Sequence, residues 1–199
     1  MDRDGWNRRY AKAELVWSAR PNRFLQAEAA WLTPGRALDV ACGEGRNAVW
    51  LAERGWRVVG VDFSDVGLTK AEQLAGERGV HVEWVQADVR EYEPAAGAYD
   101  LVVVLYLHLA ADERRCVLAR SASAVAAGGT LLVVGHDATN PAEGHGGPQD
   151  PAILFTADEV AGELPGLAIE RAERVTRSVA TAAGEAQAMD ALVRAKRRP

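Results

Sequence analysis

Apolar residues in the middle of the chain come in short runs that alternate with segments of helical period. The runs predict strands over about 36–41, 57–62, 80–87, 99–105 and 130–136. Between them, three- and four-residue spacing of apolar positions predicts helices over about 45–54 and 65–78, and a third opened by Asp112. Strands that alternate with helices form a mostly parallel sheet with helices on both faces.

The two ends of the chain depart from this alternation. Residues 4–32 have a helical pattern with a break at Pro21, whereas residues 168–180 and 185–197 alternate like strands and predict an antiparallel pair. The sequence therefore predicts one α/β domain over residues 1–199, with a doubly wound, mostly parallel sheet of seven strands and an antiparallel C-terminal hairpin.

A segment rich in glycine and proline, 137–151, follows the fifth predicted strand. A loop of this length inside a compact domain is typical of active-site lids. We therefore expect a lid loop here, followed by a short helix from Thr156.

A glycine turn after the first predicted strand is the strongest candidate for a binding site. Gly43 and Gly45 allow a sharp bend and a close approach of ligand to backbone. The helix that starts near Gly45 presents free N–H groups, which suit a carboxylate or a phosphate. Asp39 and Glu44 lie beside the turn.

Two cofactor classes fit this layout. The spacing of Gly43, Gly45 and Ala48 satisfies the dinucleotide fingerprint. A pyrophosphate at about 5 Å from Asp39 or Glu44 would, however, cost roughly 3 kcal/mol per contact at an effective dielectric of ~20. A ligand that carries an ammonium group beside its carboxylate, such as S-adenosylmethionine, would instead gain from Asp39.

Acidic residues also end the next two predicted strands. Asp62 can accept both hydroxyls of a ribose, and Phe63 can lie against an adenine face. Asp88 can accept from an adenine amino group while the Val89 N–H reaches a ring nitrogen. Leu105 and Tyr106 follow the fourth strand at the same edge.

These motifs resemble those of class I S-adenosylmethionine-dependent methyltransferases. The matching segments are 38–45, 61–64, 87–89 and 99–102, and residues 43–48 with Leu51, Ala52 and Gly55 resemble the tellurite-resistance and thiopurine group of small methyltransferases. Ala41 departs from the pattern, where a further glycine is common. The resemblance implies a Rossmann-like methyltransferase fold and S-adenosylmethionine as cofactor. It also implies an N-terminal helical cover over residues 1–33, with Tyr10 near the cofactor's carboxylate.

The expected cofactor-binding residues share a position at this one edge of the sheet. They are Tyr10, Asp39, Ala41, Gly43, Gly45, Asn47, Asp62, Phe63, Ser64, Asp88, Val89, Leu105 and Tyr106. Methyl transfer needs mainly proximity and in-line alignment, so no catalytic triad is required. His108 and His136 follow or end strands at the same edge and are the catalytic candidates, while Arg177 could hold an anionic acceptor.

Composition and charge limit the classes of partner that the chain can be expected to bind. The chain of 199 residues has 23 basic and 28 acidic residues, a net charge of −5, which argues against nucleic acid. Two cysteines give neither a disulfide framework nor a metal site, and no apolar stretch is long enough for a signal peptide or a membrane span. We expect a cytoplasmic protein, monomer or homodimer, that binds a small-molecule methyl acceptor.

The predicted function is methyl transfer from S-adenosylmethionine to oxygen, nitrogen, sulfur or a chalcogen of a small molecule. One alternative is a non-catalytic module that binds the same cofactor. A less favoured alternative is an NAD(P)-dependent oxidoreductase, because the chain has no Tyr-x-x-x-Lys constellation for hydride transfer.

Overall fold

A computed structural model describes residues 1–12, 14–181 and 184–199. Seven strands form one sheet in the order β3-β2-β1-β4-β5-β7-β6. The strands are β1 (Arg36–Val40), β2 (Arg57–Asp62), β3 (Glu83–Gln86), β4 (Tyr99–Leu105), β5 (Val125–His136), β6 (Ala168–Thr181) and β7 (Gly184–Lys196). The strands β1 to β5 are parallel, and β7 runs antiparallel to both β5 and β6. The predicted doubly wound sheet with its antiparallel hairpin is confirmed.

Helices cover both faces of the sheet. They are α1 (Arg3–Tyr10), α2 (Arg23–Ala29), α3 (Arg46–Glu53), α4 (Asp65–Glu77), α5 (Ala111–Ala124), α6 (Asn140–Glu143) and α7 (Ala157–Gly162). Along β4, Leu101 and Val103 pack into one hydrophobic core, whereas Val102 and Val104 pack into the core on the opposite face. Burial on both faces explains why this strand is a continuous apolar run. In the described residues, no helix has the length and apolar character to cross a membrane.

The N-terminal segment is less helical than predicted. In place of one helical stretch over 4–32 with a break at Pro21, two short helices flank an irregular connection, and the described residues between Tyr10 and Asn22 are not helical. The Asn22 side chain accepts from the backbone N–H groups of Phe24 and Leu25, which starts α2 there. The backbone N–H groups of Val16 and Trp17 donate to a side chain elsewhere in the fold, so they are satisfied without a helix.

Three boundaries further along the chain also differ. β3 covers only Glu83–Gln86 of the predicted 80–87, and β5 begins at Val125, five residues before the predicted start. The predicted loop 137–151 contains α6, because the Asp137 side chain accepts from the backbone and hydroxyl of Thr139 at the start of that helix. The remaining residues, 144–150, are irregular.

The strand order reverses between β1 and β4, and ligands of open α/β sheets bind outside the carboxyl ends of strands at such a point. The two residues that leave these strands, Ala41 and Tyr106, have φ angles of 59° and 58°. Left-handed backbone is rare for residues with a Cβ and concentrates at functional sites. The left-handed backbone at Ala41 and Tyr106 therefore identifies the switch point as a candidate binding site.

Candidate active site

A cavity of about 1220 Å³ opens at the carboxyl edge of the sheet. Its walls come from the ends of β1, β2, β4 and β5, from α1 and the segment after it, from residues 145–153 and from β6. The volume exceeds the roughly 300–1,000 Å³ of a typical small-molecule site, which leaves room for two ligands. The predicted site residues that line it are Tyr10, Ala41, Gly43, Asn47, Asp62, Phe63, Asp88, Val89, Leu105, Tyr106, His108 and His136. The other three, Asp39, Gly45 and Ser64, are buried beside it.

The glycine turn is packed from both sides. Gly43 has a φ of 55°, and a Cβ added there would lie 2.7 Å from the phenolic oxygen of Tyr10. Gly45 has a φ of 77°, and its Cβ would lie 2.6 Å from Ala71 and 2.7 Å from Trp84. Gly45 thus serves the packing of the turn on α4 and β3, and Gly43 is the glycine that faces the cavity.

Asp39 organises the start of α3. The N-cap of this helix is Gly45, which has no side chain to satisfy the first N–H groups. The Asp39 carboxylate accepts instead from the backbone N–H of Ala48. Its second oxygen, Oδ2, is buried and has no hydrogen-bond partner within the described ranges. Burial, with Asp62 as a second cause, raises the pKa of Asp39 to about 7. A buried, unpaired carboxylate oxygen suits a cationic ligand group.

Asp62 is held rigidly at the end of β2. Its Oδ2 accepts from the Gly43 N–H at 2.8 Å and its Oδ1 from the Ser64 N–H at 2.9 Å. Burial raises its pKa, against backbone hydrogen bonds from Ser64, Gly43 and Phe63. Because an ionised carboxylate has about four acceptor sites, Asp62 can still accept from a ligand.

Ser64 has a structural role. Its hydroxyl accepts from the Gly67 N–H at 2.9 Å, which caps α4, and donates to the Asn7 side chain at 2.6 Å. The residue is fully buried. Ser64 therefore ties α1 to α4, and the neighbouring Phe63 is the residue that reaches the cavity.

Asp88 is paired with a neighbour. The Arg90 guanidinium donates to both of its oxygens, at 3.0 and 3.1 Å from Nε, and lowers the pKa of Asp88. Both residues line the cavity. The carboxylate is thus ionised and oriented at the far side of the site from β5.

The segment after α1 is fastened to the glycine turn, which the sequence analysis missed. Both oxygens of the Glu44 carboxylate accept from the Val16 N–H, at 3.1 and 3.0 Å, and Oε2 accepts from the Trp17 N–H at 3.2 Å. Lys70 forms an ion pair with Glu44 at 3.3 Å. Asn47 accepts from the Asn22 N–H at 2.8 Å. Glu44 and Asn47 therefore hold the cover over the cavity.

A second group of polar residues, which we call the polar cluster, lies where β4, β5, β6 and β7 meet. It comprises Tyr106, His108, His136, Arg177 and Asp190. Asp190 is fully buried, and its Oδ2 accepts from the Tyr106 hydroxyl at 2.8 Å and from Arg177 Nε at 2.7 Å. All members except Asp190 line the cavity. Asp190 was not predicted from the sequence.

Two guanidinium groups face the same space. Arg46, the first residue of α3, lines the cavity, as does Arg177. Burial lowers the pKa of Arg46, while Tyr106 and Asp39 act in the opposite direction. Arg177 is close enough to affect Arg46 electrostatically. An anion between these two cations would relieve their mutual repulsion.

Comparison with known proteins agrees with this geometry. Residues 37–129 match the model of a methyltransferase domain. The demethylmenaquinone methyltransferase of Thermus thermophilus is 32% identical over 124 residues, which cover 61% of this chain and 54% of that protein. The chain thus spans about half the length of this relative, and as little as 21% of another curated relative.

Solved structures resemble the whole chain. A structure from a study of the conversion of a disulfide bond into a thioacetal group during echinomycin biosynthesis superposes with a TM-score of 0.78 at 22% identity, covering 98% of this chain and 92% of that one. The N-methyltransferase NodS of Bradyrhizobium japonicum, in complex with S-adenosyl-L-homocysteine, gives a TM-score of 0.71 at 20% identity, covering 99% and 98%. The chain therefore has the class I S-adenosylmethionine-dependent methyltransferase fold.

Proposed function

We propose that this chain transfers a methyl group from S-adenosylmethionine to a small-molecule acceptor. The observation that carries the proposal is the set of acids on successive strands beside one cavity: buried Asp39 with an unpaired oxygen, Asp62 with remaining acceptor capacity, and Asp88. This set favours a zwitterionic nucleoside. A pyrophosphate would meet the same acids with like charge, which disfavours NAD(P).

The residues present fit the cofactor part by part. Asp62 suits the ribose hydroxyls, Asp88 and Val89 suit the adenine edge, and Phe63 suits its face. The N-terminus of α3 with Arg46 suits the carboxylate, because backbone N–H groups and a guanidinium both favour an anion there. The cofactor supplies a methyl group bonded to a positively charged sulfur.

The chain's own contribution to the reaction is alignment and exclusion of water. Ala41, Leu105 and Tyr106 would border the methionine part, and Tyr10 lies directly over the glycine turn. The cover fastened by Glu44 closes one side of the cavity, and residues 145–153 close another. A water-poor site strengthens electrostatic interactions and fixes the geometry of the reacting atoms.

A small acceptor fits the part of the cavity that adjoins the polar cluster. That part is bounded by Leu107, Leu109 and Ile153, together with the cluster itself, so it offers an apolar surface with a few polar groups. The narrower resemblance to the tellurite-resistance and thiopurine group stays a proposal for the acceptor, as do the cytoplasmic location and a monomeric or homodimeric state.

Calorimetry distinguishes the S-adenosylmethionine hypothesis from the NAD(P) hypothesis. S-adenosylhomocysteine is expected to bind with a Kd in the micromolar range, and NADH is expected not to bind at the same concentrations. Release of S-adenosylhomocysteine from S-adenosylmethionine, assayed with phenols, thiols, amines and tellurite, then tests catalysis. Binding without turnover of any acceptor would favour the non-catalytic module, and absence of binding at hundreds of micromolar would refute the proposal.

A further inference from the structure

We propose that His136, oriented by Asp190, is the general base of this site and that the acceptor is a phenolic hydroxyl compound. This inference rests on the proposed methyl transfer and names the nucleophile and the residue that removes its proton. It is carried by the arrangement of the polar cluster, in which one histidine nitrogen meets a buried carboxylate and the other side of the ring faces the cavity.

Sheet register brings the pair together. His136 on β5 and Asp190 on β7 are direct cross-strand partners. His136 Nδ1 lies 3.3 Å from Asp190 Oδ1, and in the described part of the chain neither of these two buried atoms has a hydrogen-bond partner. The other oxygen of Asp190 is already occupied by Tyr106 and Arg177. Asp190 is therefore fixed, with its free oxygen directed at Nδ1, and such contacts tighten when substrate binds.

The unpaired oxygen of Asp190 indicates the tautomer of His136. A proton on Nδ1 would give Asp190 Oδ1 the donor that it lacks, and the lone pair would then lie on Nε2. His136 lines the cavity, and a Cβ added to Gly147 would lie 2.7 Å from Nε2. The backbone of Gly147, with a φ of 74°, thus packs beside the Nε2 edge of the ring, and both residues line the same cavity.

His108 is occupied by other contacts. Its Nε2 accepts from the backbone N–H of His136 at 3.1 Å, and a hydrogen bond to the Tyr106 backbone also involves the ring. Burial lowers its pKa to about 4, so it is neutral at physiological pH. The ring stacks on His136 with centroids 5.3 Å apart. His108 is a positioning residue for the backbone and ring of His136.

Of phenols and thiols, a phenol is the nucleophile that gains more from a base. Thiols ionise more readily than phenols, with ordinary pKa values of about 8.5 and 10 for Cys and Tyr, so they need less help from a base. In the step, the phenolic oxygen gives an electron pair to the new C–O bond, the S–CH3 bond leaves its pair on sulfur, and the hydroxyl proton goes to His136 Nε2. Asp190 then stabilises the imidazolium, and the positive charge of Arg177 favours the developing negative charge on oxygen.

The first test needs no turnover. The chain has four histidines, so nitrogen NMR of the imidazole rings can follow His136 directly, with His136→Asn used for assignment. We expect the neutral His136 ring to carry its proton on Nδ1, and Asp190→Asn to shift the population toward the Nε2–H form. Glu185→Gln, an exposed acid on the same strand, is the control. A wild-type ring protonated on Nε2, or one unchanged in Asp190→Asn, would overturn the assignment.

The second test compares phenol and thiophenol as acceptors, which share a ring and differ in the nucleophilic atom. His136→Asn is expected to lower kcat with phenol by about 10²–10⁴-fold, the usual contribution of a general base, and to lower kcat with thiophenol by less than about threefold. Asp190→Asn should follow the same pattern to a smaller degree, with thermal unfolding as a check of folding. Equal losses with both acceptors, or no loss with phenol, would refute the proposal.

The inference and the proposed function can fail separately. If S-adenosylhomocysteine binds and thiophenol or tellurite is methylated while phenols are not, the phenolic acceptor is wrong and methyl transfer stands. If S-adenosylhomocysteine does not bind, methyl transfer itself is wrong.

Discussion

The phenolic oxygen of Tyr10 lies 2.7 Å from the point that a Cβ on Gly43 would occupy. Tyr10 is buried, and desolvation raises the pKa of its hydroxyl, with Asp62 and Glu44 adding to the effect. The neutral Tyr10 hydroxyl thus packs against the glycine turn, and α1 lies directly over the expected position of the cofactor.

This contact predicts that Gly43→Ala destabilises the fold more than its backbone conformation alone requires. Left-handed backbone costs a residue with a Cβ about 1–2 kcal/mol. Gly79→Ala is the matched control, because Gly79 has a φ of 65° and a Cβ added there would meet no atom within 4 Å. Urea unfolding should show a larger loss for Gly43→Ala, and the excess should shrink in a Tyr10→Phe background. Equal losses at both glycines would contradict the contact.

Asp62→Asn should weaken the binding of S-adenosylhomocysteine. The amide group cannot accept at both ends, so it loses hydrogen bonds to the Gly43 and Ser64 N–H groups or to the ligand. Hydrogen bonds to a charged group are worth about 1.5–3 kcal/mol, which corresponds to a roughly 10–150-fold rise in Kd. Calorimetry measures the change, with exposed Asp158→Asn as the control. A rise of less than about threefold would exclude Asp62 from the ribose contact.

Glu44→Gln should release the segment that follows α1. The carboxylate accepts from two backbone N–H groups and pairs with Lys70, and an amide provides a weaker acceptor without charge. Limited trypsin digestion should cut after Lys12 or Arg20 about tenfold faster, because cleavage follows local opening. Exposed Glu72→Gln on α4 should leave the rate unchanged. Equal digestion of the two variants would show that Glu44 does not fasten the cover.

Asp39 should make the protein less stable as pH rises from about 4 to 7. Its pKa is raised from 3.8 to about 7 by burial, so the folded state holds a proton over a range in which the unfolded state has lost it. The stabilisation is complete below the unfolded-state pKa of 3.8 and is lost as pH rises through the folded-state pKa of about 7. The full contribution is on the order of 4 kcal/mol, from 1.36 kcal/mol per pKa unit.

Asp39→Asn tests this prediction, because an amide oxygen can still accept from Ala48 while the titration is removed. Urea unfolding between pH 4.5 and 8 should show that the free-energy difference between wild type and variant changes steadily up to pH 7. Parallel curves for the two proteins would mean that Asp39 titrates near its usual value.

The sequence was a good guide where local pattern decides structure. β1, β2 and β4 were placed to within a residue, because each is an apolar run bounded by turn residues, and the acids at their ends line or adjoin the cavity. The N-terminal segment was predicted as helix over residues that instead bond to Glu44. The segment has a helical residue pattern, and no local pattern indicates a carboxylate more than twenty residues away.

Asp190 could not have been found from its neighbours in sequence. Its partners His136 and Tyr106 lie 54 and 84 residues away, and only the register of β5 with β7 brings them together. In the sequence it is one acid in an alternating strand. The polar cluster is therefore a product of long-range strand pairing, which periodicity does not encode.

The placement of the site residues at opposite sides of the sheet has an evolutionary consequence for the proposed function. Residues suited to the methyl donor stand on the β1–β3 side, and His136, Arg177 and Asp190 stand on β5, β6 and β7. Under the proposed methyl transfer, mutations in β5, β6 and β7 would therefore change which acceptor is methylated and leave the residues suited to the donor intact. New specificities would arise by drift in the last third of the gene.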